Sequence, residues 1–418
     1  LYRHEIHGFR RVEIHIWITI RKAVNRAHKI ALDPTDTQEA YFRRACGVSR
    51  FTFNWALDAW KRQYAAGEKP SGSALKKQFN ALRHVDFPWT GEVLRDATAQ
   101  PFVNVQRAFR NFFEKRGKYP RFKKKGLHDS FYIANDKFEV DGQRIRIPHI
   151  GWVRMREALR FEGRIQSAVV SRTAHRWFVA IAVEVPDQLI TRENQAVVGV
   201  DLGIKALATL STGEHVLAPR PLKAALEKLQ RLSRQLARKQ KGSQRRAKAK
   251  IKVARLHYRI SCVRNDALHK LTTGLVHRFG TVVIEDLNVK GMVQNHCLAR
   301  AISDVGFGGF RRQIEYKAAA NGVRVVVADR WYPSSKTCAD CGFVVDILPL
   351  SIREWACPRC GVVHDRDVNA AINLEKLGRA TPEGTPVEKQ ALACRPMRVK
   401  PASVKRELTG AQTCALER

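Results

Sequence analysis

The spacing of apolar positions changes several times along this chain, and each change marks an element. Residues 28–32 (HKIAL) predict a short strand. Over 37–64 the spacing becomes helical, with Phe42, Phe51, Phe53, Trp55 and Trp60 on the pattern, and Phe51, Phe53 and Trp55 read as helix core. Helical spacing resumes over 72–83 and 92–116. From 130 to 186 the period drops to two in SFYIA, KFEV, RIRIP, GWVRM, AVVS and WFVAIAVEV, with turn residues between them. That predicts an antiparallel sheet or small barrel. The expected first half is a β-barrel built from 28–35 and 117–194, with a helical insertion, 36–116, after its first strand.

A second domain is expected from about Gln195. Residues 197–202 read as a buried strand, 206–211 as its hairpin partner, and a third short strand falls near 215–218. Leu222, Leu226, Leu229 and Leu236 share one helical stripe. Gly242-Ser243 breaks it, and Ile251, Ala254 and Tyr258 resume one, so 221–279 is expected to form a helical hairpin. Strands follow at 281–284 and 323–328 with a helix at about 305–320 between them. A cysteine segment fills 334–361, and a last helix runs over about 367–377. The order β-β-β-α-β-α-β-α is that of an RNase H-like α/β fold, here spanning 195–333 and 362–379 with the cysteine segment inserted. Residues 1–27 read as an extension outside the fold. Residues 380–418, rich in Pro, Gly, Thr and charge, read as a disordered tail.

Charge narrows the partner. Lys and Arg number 75 against 39 Asp and Glu, a formal net charge of +36. With a pI near 10.4, that excess calls for a polyanion. A membrane is disfavoured, because no apolar run reaches the roughly 18 residues of a spanning helix and the basic residues interleave with globular patterns. Nucleic acid remains. Two stretches concentrate the charge. The loop at 115–126 sets Tyr119 and Phe122 among Arg121, Lys123, Lys124 and Lys125, which suits backbone contact with base stacking. For any single residue there, an ordinary basic loop is nearly as good an account. Residues 223–259 hold fourteen Lys or Arg, including Arg245, Arg246, Lys248 and Lys250, against one acid, Glu227. A solvated helix face mixes signs for i,i+4 pairing, so a phosphate-lined channel is the better reading.

Cysteine usage carries further chemistry. Of nine cysteines, Cys46, Cys262, Cys297, Cys394 and Cys414 are scattered and four form two CxxC pairs, the usage of a reducing compartment. The stretch 12–20 is broken by Glu13 and His15 and no small-residue cleavage site follows, so no signal peptide is expected. Cys338 with Cys341, and Cys357 with Cys360, are separated by fifteen residues, and each pair is followed by glycine. Two such knuckles predict one closed, structural Zn²⁺ site. Redox pairs or disulfides seldom come doubled at this spacing.

Three carboxylates stand at element ends. Asp201 closes the apolar run VVGVD and Glu285 closes VVIE, positions where a carboxylate is costly unless paired or bound to metal. Asp367 opens the last helix in HDRDVNAAIN. Ordinary readings compete. Asp367 could serve only the helix dipole, Asp286 could replace Glu285, and Asp365 could replace Asp367. Glu285 is preferred because it directly continues the apolar run. In an RNase H-like sheet, strands one and four are neighbours and the last helix crosses their ends, so the three acids would converge. Close carboxylates cannot all stay ionised without cations. Two Mg²⁺ or Mn²⁺ ions roughly 4 Å apart would satisfy them and clamp a phosphodiester undergoing hydrolysis.

Taken together, GVDLGIKALAT, VVIEDLNVKGM, SSKTCADCG with CPRCG, and HDRDVNAAIN stand in a recognisable order. With HKIAL, SRFTFNWAL, YPRFKKKG and SRTAHRWFVAIAVEV, they resemble the TnpB (OrfB) proteins of insertion-sequence transposons, the group ancestral to type V CRISPR effectors, over about 28–377. The resemblance selects Asp367 over Asp365, and no catalytic position departs from the family pattern. It implies a RuvC-like nuclease in which Asp201, Glu285 and Asp367 hold catalytic metal and the four paired cysteines hold zinc. It implies a guide RNA from the transposon end and double-stranded target DNA cut on both strands at one site. A short DNA motif would be read by the N-terminal half, the barrel acting as a wedge and the helical insertion as a recognition part. The setting implied is the prokaryotic cytoplasm, associated with the nucleoid, and a monomer is favoured. The rivals are a transposase acting without a guide and a nucleic-acid-binding regulator that no longer cuts.

Overall fold

The computed structural model describes residues 24–186 and 194–381. Expectations for 1–23, and for the tail from 382, fall outside the described residues. Strands β1 (Val24–Asp33), β2 (Ser130–Ala134), β3 (Glu139–Asp141), β4 (Arg144–Ile147), β5 (Gly151–Met155), β6 (Arg164–Thr173) and β7 (Arg176–Val185) form one antiparallel sheet. Their order is β2-β6-β7-β1-β5-β4-β3. β1 pairs with β7 from Val24 to Leu32, then with β5 at Leu32 and Asp33. It therefore starts ahead of HKIAL, and residues 24–27 belong to the sheet rather than to an extension. None of those four is buried, so apolar alternation could not reveal them. Among the described residues no pairing joins β2 to β3, so the sheet is open rather than the closed barrel expected. One core still serves both ends: Phe131 and Ile133 of β2 share it with Ile145 and Ile147 of β4 and Ile181 of β7.

Between β1 and β2 come α1 (Asp36–Ala65), α2 (Gly72–Asp86) and α3 (Asp96–Phe113). A capping box starts α1, with Thr35 and Gln38 each accepting the other's amide. Phe42 and Ala45 of α1 pack on the sheet. Phe53, Leu57 and Trp60 pack instead on Phe79 of α2 and Phe102 and Phe109 of α3. One helix thus ties two cores together. The helix expected over 92–116 is shorter, because Pro88–Glu92 make a 3₁₀ turn and Val93 is extended.

The second sheet contains β8 (Val197–Asp201), β9 (Ala206–Leu210), β10 (His215–Leu217), β11 (Thr281–Glu285) and β12 (Arg324–Ala328), in order β10-β9-β8-β11-β12. β11 is parallel to both β8 and β12. Between β10 and β11 run α4 (Pro221–Ala224), α5 (Leu226–Ala237) and α6 (Gln244–Arg278). Then come α7 (Val289–Met292), α8 (Ala299–Val305) and α9 (Phe307–Ala320). The helix expected at about 305–320 is α9; the short α8 ahead of it was not expected, and Gly306, with a φ of +82°, separates the two. A hairpin of β13 (Glu354–Ala356) and β14 (Val363–Asp365) leads into α10 (Arg366–Ala380).

Alternation splits the second sheet cleanly. Val198, Val200, Val282 and Ile284 join Leu268, Leu271 and Leu275 of α6 and Phe310 and Ile314 of α9 in one core. Val197 and Val283 face the other way, onto Leu374 and Leu377 of α10. α10 lies directly on the sheet: a Cβ on Gly199 would sit 1.9 Å from the Ala371 carbonyl oxygen, and one on Gly378 would sit 2.4 Å from Val283 Cγ2. We expect Gly199→Ala to destabilise this domain by about 1–3 kcal/mol or more through overpacking. Gly274→Ala, in open space within α6, should be neutral or stabilising by up to about 1 kcal/mol. Thermal unfolding of the two variants checks both; equal melting temperatures would refute the close packing of α10.

Candidate active site and metal centre

The carboxylates meet where β8, β11 and α10 end or begin. Ile284 pairs with Val200 in parallel register, so Glu285 and Asp201 lie side by side at the strand ends. Alternation points both to the face that α10 covers. The first turn of α10 supplies Asp367. Burial, then the charges of Glu285 and Asp367, push the Asp201 carboxyl well above the usual carboxylate range, while Arg366 and Arg353 oppose the shift. Ser334 Oγ donates to Glu285 Oε1 at 2.7 Å, and Arg353 Nη1 lies 3.2 Å from Asp367 Oδ1. Held this way, the three carboxylates do not bring their oxygens within 4.8 Å of one another as the cysteine thiols do. The donor set still fits a hard divalent cation: oxygen ligands only, mutually repelling, with one already driven toward its neutral form.

The competing acids have other employment. Asp286 accepts from Arg311 Nη1 at 2.5 Å and from Arg330 Nη2 at 2.8 Å. Arg311 above all, with Arg330, holds its carboxyl below the usual range. Asp365 is the N-cap of α10, its Oδ1 accepting the amides of Asp367 at 3.0 Å and Val368 at 2.8 Å.

The four paired cysteines converge. Cys338 Sγ lies 3.6 Å from Cys360 Sγ, and Cys341 Sγ lies 3.6 Å from Cys357 Sγ. A disulfide would need about 2.05 Å, whereas a tetrahedral zinc site with bonds of about 2.3 Å separates its sulfurs by about 3.8 Å. Gly342 and Gly361 close the two knuckles with φ of +74° and +75°. His364 Nε2 sits 3.0 Å from Cys338 Sγ, and with Asp340 forms a second ligand group sharing that cysteine. The ribbon is fastened to α10 by two buried asparagines. Asn369 Oδ1 accepts from the Ala339 amide at 2.8 Å, and Nδ2 of Asn369 and Asn373 donate to the Thr337 carbonyl at 2.7 and 2.6 Å. Sequence reasoning passed over Ser334, Arg353, His364, Asn369 and Asn373. Only the asparagines carried a signal, two amides four residues apart on the helix that packs against the sheet.

The basic stretches divide into free and engaged residues. Arg245, Lys248 and Lys250 of α6 are exposed. Arg246 is not free, since its Nη1 donates to the carbonyls of Leu236 and Lys239 at the end of α5. In the loop after α3, Arg121, Lys124 and Lys125 are exposed. Lys123 lies over the Phe53 ring at 4.2 Å, and burial lowers its pKa. Tyr119 sits edge-on to Phe109 and Phe112, with the Lys61 ammonium 5.4 Å from its ring. The two stretches adjoin: a Cβ on Gly126 would lie 4.0 Å from Lys250 Nζ. Among the described residues, no helix is long and apolar enough to cross a membrane.

Comparisons with known proteins follow this layout. Residues 180–296 match the OrfB IS605 profile described as "Probable transposase", and residues 307–374 match "Cas12f1-like, TNB domain". Residues 24–69 match the OrfB IS605 "Helix-turn-helix domain", although here they form β1 and the single long helix α1. A Streptomyces pristinaespiralis protein named "Putative RNA-guided DNA endonuclease" is 42% identical over 373 residues, 85% of this chain and 90% of that protein. InsQ of Escherichia coli K12, which carries the same description, is 33% identical over 377 residues, 85% of this chain and 92% of its own length. A cryo-EM structure of a Cas12f1–sgRNA–target DNA complex shares the fold, with a TM-score of 0.52 at 11% identity, over 84% of this chain and 99% of that one. On the strength of these relatives, the chain belongs to the TnpB (OrfB) family.

Proposed function

We propose that this chain is an RNA-guided DNA endonuclease of an insertion-sequence transposon, with an RNase H/RuvC-like catalytic domain. The observation that carries the reading is the convergence of Glu285 and Asp367 on a partly buried Asp201 at the C-terminal end of a parallel strand pair. Repelling acids there weaken the fold unless they serve a cation. The names of the family relatives supply the RNA guide and the DNA target. Asp201, Glu285 and Asp367 would hold Mg²⁺ or Mn²⁺, which when bound supplies Lewis-acid charge to a scissile phosphodiester.

The chain's own groups do the positioning. Ser334 fixes the Glu285 carboxylate, and Asp365 sets the first turn of α10 so that Asp367 faces the strand ends. Arg353 brings a guanidinium to the acids, where it can meet a phosphate oxygen. Exposed Arg121, Lys124, Lys125, Arg245, Lys248 and Lys250 form the surface to which the RNA and its DNA hybrid would bind through their backbones. The open seven-stranded sheet and α1–α3 take the wedge and recognition roles. The four thiols hold a structural Zn²⁺, which through Asn369 and Asn373 ties the ribbon to the catalytic helix.

Asp201→Ala should lower cleavage of a matched target by roughly a thousandfold or more while leaving RNA binding unchanged. A variant that cuts at the parent rate would remove Asp201 from the site. A second test uses stability. The folded pKa of Asp201 lies above its unfolded value of about 3.9, so its burial costs stability increasingly as pH rises past that value. Without added Mg²⁺ or Mn²⁺ at about pH 7.5, Asp201→Asn should therefore melt higher than the parent, and the gap should close towards about pH 4. No gap at neutral pH would mean that neither burial nor the neighbouring acids disfavour the Asp201 carboxylate. Finally, metal analysis should find about one Zn per chain, lost on changing Cys338 or Cys357 to Ser. Protein purified without chelator yet free of zinc would contradict the ribbon assignment.

A further inference from the structure

One aromatic side chain beside the acids has no part in the chemistry above. Trp331 follows β12, and its side chain is 85% exposed. The indole makes no ring contact or hydrogen bond among the described residues. Exposing so large an apolar ring gains the fold nothing. The backbone beneath it is nevertheless fixed. Asp329 Oδ1 accepts the Trp331 amide at 2.9 Å, and the Asp329 carbonyl accepts the Tyr332 amide at 3.0 Å. Arg330 Nη2 reaches Asp286 at 2.8 Å, and Tyr332 Oη donates to the Asn373 carbonyl at 3.2 Å. Ser334 Oγ then holds Glu285. Anchors on either side of Trp331 therefore run to adjacent residues at the end of β11, and the indole projects from the tip of the turn between them.

We infer that Trp331 is a stacking platform for an unpaired base of the DNA strand being cut, next to the scissile phosphate. The inference rests on the nuclease reading of the acids. A strand that presents a phosphate to Glu285 would have this turn within reach, because Arg330 and Ser334 on either side of Trp331 contact Asp286 and Glu285, and the half-exposed Arg330 guanidinium suits the adjoining phosphate. An indole on a backbone held in this way has only two side-chain torsions to settle on stacking, and every base offers it a π-face, so the contact would grip any sequence. The chain's charge of +36 favours this occupant over a protein partner.

The test compares the parent, Trp331→Ala and Trp331→Phe, each as the full chain with its co-purified RNA and Mg²⁺, on targets carrying single abasic sites stepped along the cut strand. RNA binding is measured in parallel. Trp331→Ala should cut roughly tenfold more slowly with RNA binding unchanged, and Phe should restore most of the rate. One abasic position near the cut should slow the parent by a similar factor yet add nothing in Trp331→Ala. Parent-like cutting by Trp331→Ala, or an abasic penalty that persists in full in that variant, overturns the platform. A parent that cuts no matched target overturns the underlying nuclease reading, and the platform with it, which is a different result from the first two.

Discussion

The candidate site depends on how closely α10 lies against β8. At Gly199 the helix backbone occupies the space where any other residue would place a Cβ, and Gly378 allows the same approach to Val283. That contact brings the first turn of the helix to the ends of β8 and β11, and so brings Asp367 to Asp201 and Glu285. The ribbon adds a brace from outside. Asn369 and Asn373 fasten the knuckle that starts at Ser334 to the same helix, and Ser334 in turn holds Glu285. Helix, ribbon and strand ends form one mechanical unit around the acids.

The electrostatics of that unit run against the folded state. Asp201 is partly buried beside two like charges, and the nearby arginines do not cancel the cost. Asp286 and Asp365, one residue from Glu285 and two from Asp367, show the alternative: each is satisfied, by two guanidiniums in one case and by two helix amides in the other. The raised Asp201 carboxyl, beside acids that have partners, is the feature on which the proposed metal chemistry rests.

Much of this was legible in the sequence. The strand ends at Asp201 and Glu285 and the helix start at Asp367 follow from apolar runs that stop at a charge, and the doubled CxxC spacing gives the thiol cluster outright. What stayed hidden has physical reasons. Residues 24–27 extend β1 through backbone pairing alone, with no buried side chain to announce them. α8, seven residues ending at the left-handed Gly306, is too short to show a helical stripe of its own. Arg246 looks like its basic neighbours in sequence, and only the hairpin geometry gives it two carbonyls to cap. Ser334 lies 49 residues from Glu285, and Arg353 lies in the cysteine segment 14 residues before Asp367, so no helical or strand period could assign either.

In the proposed function a nucleic-acid guide directs this site. The most direct measurement replaces the variable end of the RNA that purifies with the chain, then maps cleavage on DNA bearing both the old and the new matching sequence. Mg²⁺-dependent cutting should move to the new sequence. Cutting that stays where it was, or occurs equally without any RNA, would contradict that function and leave a nuclease that acts without a guide.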